Sequence, residues 1–175
     1  MPDAGQVDRF ERLVMPHLRA GHNLARWLTR DPHDAEDVVQ EAMIRALRAI
    51  DTFHGGDARC WLLTIVRNTC YTWLKRNRER QPASLPDDDI CESVEGVAAP
   101  DAALLRAADA EMVRQAIDEL PVEYREVLVM REMEGLSYKE IAAVADLPPG
   151  TVMSRLSRAR QRLEQLLTPR LCPET

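Results

Sequence analysis

The sequence of 175 residues has few aromatic residues, few glycines and no long apolar run. Three tryptophans, three tyrosines and two phenylalanines stand among many alanines, leucines, arginines and glutamates, which favours helices over a β-sandwich. The apolar runs are shorter than the roughly 18–20 residues that a membrane-spanning helix needs. The first five residues lack the basic and apolar parts of a secretory signal, so we expect a cytoplasmic protein.

The four cysteines, Cys60, Cys70, Cys91 and Cys172, form no Cys-x-x-Cys pair. A disulfide framework or a tetrahedral zinc site is therefore poorly supported, and we expect idle or buried thiols. We also expect no resident metal and no cofactor.

The net charge of −6 is unevenly distributed. Residues 1–81 carry a net charge of +2, residues 82–111 carry −7, and residues 112–175 carry −1. Because the acidity lies mainly in the middle of the chain, the acidic total does not exclude a nucleic-acid partner.

The pattern predicts an all-α protein of two small helical domains, residues 8–81 and 109–170, joined by a flexible acidic linker at 82–108. The linker contains prolines and the run Asp87-Asp88-Asp89, with no amphipathic pattern long enough to form a core. Helices are predicted near residues 8–29, 33–50, 57–80, 101–119, 121–134, 137–145 and 149–167.

The strongest local signal is a helix-turn-helix in the second domain. Ser137 and Glu140 have the spacing of a capping box, and Pro149 suits the first position of a second helix. An apolar stripe then runs through that second helix, while hydroxyl and basic side chains occupy its opposite face. Such a face can contact phosphates and base edges, although a solvated basic face on an ordinary helical hairpin is the alternative.

Two further surfaces lie in the first domain. Asp34, Asp37 and Glu41 share one helical face, which either stabilises the helix start or binds a basic partner. His33 beside these acids leaves a metal or acid–base site as a weaker alternative. After the Gly55-Gly56 break, basic residues alternate with Trp61, Tyr71 and Trp73, a combination that can hold phosphates and stack exposed bases.

These segments resemble bacterial extracytoplasmic-function (ECF) sigma factors of the sigma-70 superfamily. The segments at 34–41 and 61–68 resemble their second conserved region, and the segments at 136–142 and 150–160 resemble their fourth. Both occur in the family's order, over roughly residues 8–80 and 109–168. The resemblance implies a non-enzymatic transcription initiation factor that binds core RNA polymerase and promoter DNA and is controlled by an anti-sigma factor.

The resemblance also assigns candidate site residues. Polymerase binding is expected at Asp34, Asp37, Gln40, Glu41 and Arg45. Recognition and opening of the minus-10 element are expected at Arg59, Trp61, Asn68, Tyr71, Trp73, Lys75 and Arg76. Recognition of the minus-35 element is expected at Tyr138, Lys139, Thr151, Ser154, Arg155, Ser157, Arg158 and Arg162.

Three positions depart from the family pattern. Met153 stands where many relatives have Lys or Arg, Thr72 where Asp is frequent, and Ala58 where an aromatic residue is common. These departures affect the promoter sequence that is expected and not the class of protein.

Two other functions are weighed against this one. A stand-alone helix-turn-helix regulator is expected to bind operator DNA tightly without polymerase. An enzyme using His33, Asp34, Glu36 and Asp37 lacks a nucleophile–base pair or a phosphate-binding glycine loop. Since a long linker fixes orientation weakly, we also expect the two domains to close on each other or on an inhibitor.

Overall fold

The computed structural model describes residues 2–80 and 102–171, with side-chain positions from residue 106 onward in the second range. Within these ranges there is no strand, and the expected all-α class is confirmed. The first unit contains α1 (Ala4–Leu13), α2 (Leu18–Thr29), α3 (Pro32–Ala49) and α4 (Ala58–Arg80). The second contains α5 (Ala102–Asp118), α6 (Val122–Glu132), α7 (Tyr138–Ala145) and α8 (Pro149–Leu171).

The range predicted as linker is only partly described by the structure. Residues 82–101 lie outside the described residues. Helix α5 begins at Ala102, so helical structure starts inside the range predicted as linker. No described helix combines the length and the apolarity needed to cross a bilayer.

The single helix predicted near residues 8–29 is wrong. Helix α1 ends at Leu13, and a 3₁₀ turn at Met15–His17 separates it from α2. Pro16 lies inside that turn, and a proline has no backbone N–H to donate within a continuous α-helix. Val14, which is fully buried, precedes the turn. After the break, α2 packs against α3 and α4, while α1 contacts α3.

The first unit is built on close packing of α2, α3 and α4. Asp31 caps α3, since its carboxylate accepts hydrogen bonds from the backbone N–H of His33 at 2.7 Å and of Asp34 at 3.0 Å. At Gly21 of α2, a Cβ would lie 3.2 Å from Cγ2 of Val66 in α4. The missing side chain thus allows these two helices to approach closely.

The second unit contains the predicted helix-turn-helix. Ser137 and Glu140 form the expected capping box, with Ser137 Oγ 3.2 Å from the Glu140 N–H and Glu140 Oε2 2.7 Å from the Ser137 N–H. Asp146 adopts a left-handed conformation, with φ at 54°, and ends α7. The buried stripe of α8 is confirmed at Val152, Leu156 and Ala159. Helix α8 continues to Leu171, four residues beyond its predicted end.

The two units pack against each other and share one apolar core. A single cluster of buried side chains includes Leu63 and Val66 of α4 together with Ile141 and Val144 of α7. Trp27 of α2 packs against this cluster and also against a smaller one formed by residues of the second unit. The structure is therefore a closed arrangement of the two units.

Candidate nucleic-acid interface

The outward face of α8 is open to solvent at most of its predicted contact positions. Ser154, Ser157, Arg158 and Arg162 are exposed, and Lys139 is exposed on α7. The Ser154 hydroxyl donates a hydrogen bond to the Thr151 carbonyl oxygen at 3.0 Å, which restricts the orientation of this side chain near the start of α8. This face can place a basic helix against a phosphate backbone or in a major groove.

Three other predicted residues of this group are only partly exposed. Thr151 is half-buried, and Tyr138 is half-buried with the Arg131 guanidinium 4.9 Å from its ring centroid. Arg155 is turned toward the interior, with Nη1 3.5 Å from Oε1 of Glu126. The structure therefore separates Arg155 from the exposed set that includes Arg158.

Helix α4 divides its predicted nucleic-acid residues between solvent and packing. Asn68, Lys75 and Arg76 are exposed. Trp61 packs against Phe53, with ring centroids 5.3 Å apart, and Trp73 packs against the shared core. The exposed residues follow the helix toward its C-terminal end, where they form a basic surface.

Two predicted residues of α4 take part in the packing of the two units. Arg59 Nη1 donates to the Glu134 carbonyl of the second unit at 3.1 Å. Tyr71 lies beneath Arg67, whose guanidinium carbon is 4.1 Å from the ring centroid. Burial raises the pKa of Tyr71, and the negative charge of Glu126 raises it further.

Helix α3 presents the predicted acidic face to solvent. Asp37 and Gln40 are exposed, Asp34 is half-buried, and Glu41 forms an ion pair with Arg45 along the helix. Burial raises the pKa of Asp34, and the charges of Asp31 and Asp37 act in the same direction.

The centre of this α3 face is apolar, which the sequence analysis missed. Ile44 follows the acidic residues by one turn, and 52% of its surface is exposed. It borders a groove of about 930 Å³ that Met15 of the 3₁₀ turn and Met43 of α3 also line. In the sequence, an isoleucine within an otherwise polar helical face was the signal that could have predicted this apolar site.

The most heavily buried charge joins both units. Glu126 of α6 has no exposed surface, and its carboxylate accepts from Arg67 Nε at 2.9 Å and Nη2 at 3.2 Å. Arg155 completes this group, which is called the Glu126 cluster below: Arg67, Glu126 and Arg155. Burial alone lowers the pKa of Arg67, but the hydrogen bond and charge of Glu126 outweigh it, so the pKa is raised.

The cysteine at the start of α4 lies beside two carboxylates. Asp57, Cys60 and Glu140 bring potential metal-ligand atoms within 4.8 Å of one another. Within the described ranges, His33 and its acidic neighbours are not such a group, so the weaker metal hypothesis gains no support there. Burial raises the pKa of the Cys60 thiol to about 12, and the charge of Asp57 contributes to the increase.

The chain matches two sigma-factor families in the order that the fold shows. Residues 13–80 match the family described as Sigma-70 region 2, and residues 110–163 match Sigma-70, region 4. It is 37% identical over 174 residues to the RNA polymerase sigma-H factor of Pseudomonas aeruginosa, covering 95% of this chain and 90% of that protein. It is 36% identical to the ECF RNA polymerase sigma-E factor of Escherichia coli K12, covering 94% and 90%.

The chain belongs to the ECF sigma factors. Sigma factors of this kind are transcription initiation factors and not enzymes, so the chain is an alternative sigma factor and the stand-alone regulator is disfavoured.

Two solved structures share the fold of this sigma factor. One is the sigma factor RpoE in complex with the anti-sigma factor NepR from Bartonella quintana, with a TM-score of 0.71 and 30% identity, covering 90% of this chain and 96% of that one. Another is CnrH in complex with the cytosolic domain of CnrY, with a TM-score of 0.60 and 29% identity, covering 90% and 86%.

The environment of the thiols predicts low reactivity in the native sigma factor. Burial also raises the pKa of Cys70 to about 12, so both thiols are protonated at pH 8. We expect iodoacetamide to modify Cys60 and Cys70 at least about a hundredfold more slowly in the native protein than in guanidinium chloride. Peptide mass spectrometry follows each site separately, and equal native and denatured rates contradict the prediction.

Proposed function

We propose that this sigma factor binds core RNA polymerase through α3, holds the opened minus-10 element on α4, and recognises the minus-35 element with α8. The observation that carries the proposal is the placement of three exposed surfaces of different chemistry on three helices. One is acidic with an apolar centre, one is basic and follows α4, and one is the basic outward face of a helix-turn-helix.

The proposed docking surface on α3 comprises the predicted residues together with Ile44. Acidic side chains at its rim attract a basic partner and align it, while an exposed aliphatic residue supplies contact area at the centre. That arrangement is present on α3, since Asp37 and Gln40 lie on one side of Ile44 and Arg45 lies on the other. None of these residues belongs to the shared core, so their side chains are available to a partner.

We expect Asp37→Lys and Ile44→Ala each to weaken core-polymerase binding by about tenfold, because each removes one component of the docking surface. Binding is measured by titrating labelled sigma factor with core polymerase. Glu11→Lys, at an exposed position of α1, is the matched charge reversal and is expected to change affinity little. Unchanged affinity for both docking variants contradicts the assignment of this surface.

The proposed minus-10 surface binds DNA through two kinds of interaction. Stacking of unpaired bases on aromatic rings contributes about 1–3 kcal/mol per base, while basic side chains hold the phosphates. Asn68, near which the resemblance places a flipped base, is exposed about two helical turns before Lys75. Lys75 and Arg76 continue the same helix as phosphate contacts.

The proposed minus-35 surface relies most on Arg158. It is exposed on the outward face of α8, and a bidentate arginine–guanine contact discriminates between bases by about 1–3 kcal/mol. Met153, also exposed on α8, offers an apolar contact in place of a basic one.

We expect Arg158→Ala and Arg76→Ala to affect promoter binding differently. Arg158→Ala should relax base preference at particular minus-35 positions because it removes a base contact. Arg76→Ala should weaken all promoters similarly and reduce the slope of log affinity against log salt by about one unit. Reconstituted holoenzyme and a panel of minus-35 variants provide the measurement, and interchange of the two phenotypes contradicts the assignment.

We also propose that an anti-sigma factor controls this protein and that it acts in the cytoplasm, where the polymerase and promoters are. The support is that a structurally similar sigma factor, RpoE of Bartonella quintana, is bound to an anti-sigma factor. Adding this protein's own anti-sigma factor in purified form before core polymerase is expected to abolish sigma-dependent transcription.

Run-off transcription tests the function as a whole. Core polymerase is incubated with promoter fragments from the genome of origin, with and without this sigma factor. The proposal requires discrete transcripts that depend on the sigma factor. Tight binding of duplex DNA without polymerase, together with no transcript in its presence, supports the stand-alone regulator instead.

A further inference from the structure

The contact between the two units contains polar links as well as the shared apolar core. Asn23 of α2 donates from Nδ2 to Glu134 Oε1 at 2.6 Å, and Arg59 of α4 donates to the carbonyl of the same residue at 3.1 Å. These links lie at partly buried positions near the surface. The Glu126 cluster differs from them because its carboxylate is completely buried.

Each arginine of the Glu126 cluster belongs to a helix with a proposed DNA-binding face. Arg67 is on α4, directly before Asn68, and its side chain is 16% exposed. Arg155 is near the start of α8, and its side chain is 25% exposed. One carboxylate therefore holds an arginine from the minus-10 helix and an arginine from the minus-35 helix.

The geometry of this contact matches the way arginine binds a phosphate. Two nitrogens of Arg67 face the two oxygens of Glu126, the paired arrangement that guanidinium groups adopt with carboxylates and phosphates alike. A carboxylate in this position occupies the donors that a DNA backbone also needs. The two bound states of Arg67 are consequently mutually exclusive.

We propose that Glu126 is an autoinhibitory contact that holds the sigma factor closed and keeps Arg67 and Arg155 from DNA until the units separate. The proposal rests on the proposed DNA-binding roles of α4 and α8. On separation, Arg67 leaves the carboxylate and becomes available to a phosphate. Glu126 and Arg155 remain together on the second unit, where the carboxylate gains water and the arginine gains freedom to reorient.

The main test compares Glu126→Gln with Glu132→Gln in the full chain. Glu132 also lies on α6 and pairs with Arg160 at 2.6 Å, but both side chains are about half exposed and both belong to the second unit. Glu126→Gln leaves Arg67 buried without a countercharge, so the closed state is expected to open, whereas Glu132→Gln is expected to stay closed. Small-angle X-ray scattering measures the change as an increase in radius of gyration.

Cys60 gives a second, local measure of opening. It is half-buried in the first unit, and the charge of Glu140 in the second unit contributes to its raised pKa. Its alkylation rate is expected to rise at least about tenfold in Glu126→Gln and to stay unchanged in Glu132→Gln. Circular dichroism in the same samples shows whether the helices remain folded, because the burial of Cys70 lies in the core that both units share and does not report on the first unit alone.

DNA binding is tested without polymerase, using a fluorescent duplex of random sequence at low salt. Opening releases up to two arginines, so the slope of log affinity against log salt is expected to become steeper by about one to two units in Glu126→Gln. Arg67→Met is the second variant and breaks the same contact from the other side. It should open the protein without the full increase in DNA binding, since it also removes a phosphate ligand.

Two results overturn the proposal. In the first, Glu126→Gln and Arg67→Met both have the radius of gyration and the Cys60 alkylation rate of the wild type, while circular dichroism shows normal helix content. The other is equal opening in Glu132→Gln. If the variants open as expected while run-off transcription fails for the wild type, the contact stands and the proposed promoter function fails.

Discussion

The carboxylate of Glu126 sets the arrangement of the whole molecule because it is a charge without access to water. A buried ion is tolerated only beside a countercharge with good hydrogen bonds, and here Arg67 of α4 supplies both. Helices α4, α6 and α8 consequently meet around one group. The apolar contacts between α4 and α7 then complete a core that neither unit contains alone.

This constraint affects the three proposed surfaces unequally. Helices α4 and α8, which meet at Glu126, carry the two proposed DNA-binding faces, whereas Asp37, Gln40 and Ile44 of α3 remain exposed in the closed arrangement. Polymerase docking therefore needs no prior separation of the units. Taken together, the two proposals predict an order in which the first unit binds polymerase while closed, and separation then exposes Arg67 and Arg155 where promoter DNA is present.

The features that the sequence predicted correctly are local. The capping pair Ser137 and Glu140, and Pro149 at the start of α8, define the helix-turn-helix through contacts within a few residues. The break at Pro16 was equally local and was missed, although a proline inside a predicted helix indicates it. Spacing alone predicted the acidic face of α3 and the basic face of α8, whereas the specific roles of these residues came from the resemblance and stay predictions.

What the sequence could not supply is the pairing across the two units. Glu126 sits directly before the apolar run from Val127 to Met130, and a carboxylate beside such a run indicates burial. Its partner, however, is 59 residues earlier in the chain, and nothing in the spacing identifies Arg67. Nothing in the spacing identifies the contact of Arg59 with Glu134 either. Such contacts depend on how the units pack, which helical periodicity does not determine.

The energetics of these contacts explain why a closed arrangement can also be reversible. Desolvation of a buried ion pair offsets most of its Coulombic attraction, so the pair contributes little net stability, although removing one partner costs about 3–5 kcal/mol. Burial and then the charge of Arg30 lower the pKa of Arg125 to about 10, while the charge of Asp118 acts in the opposite direction. The Glu126 cluster thus favours one arrangement of the units while adding little net stability, and a partner that supplies a phosphate to Arg67 must also separate the apolar contact between α4 and α7.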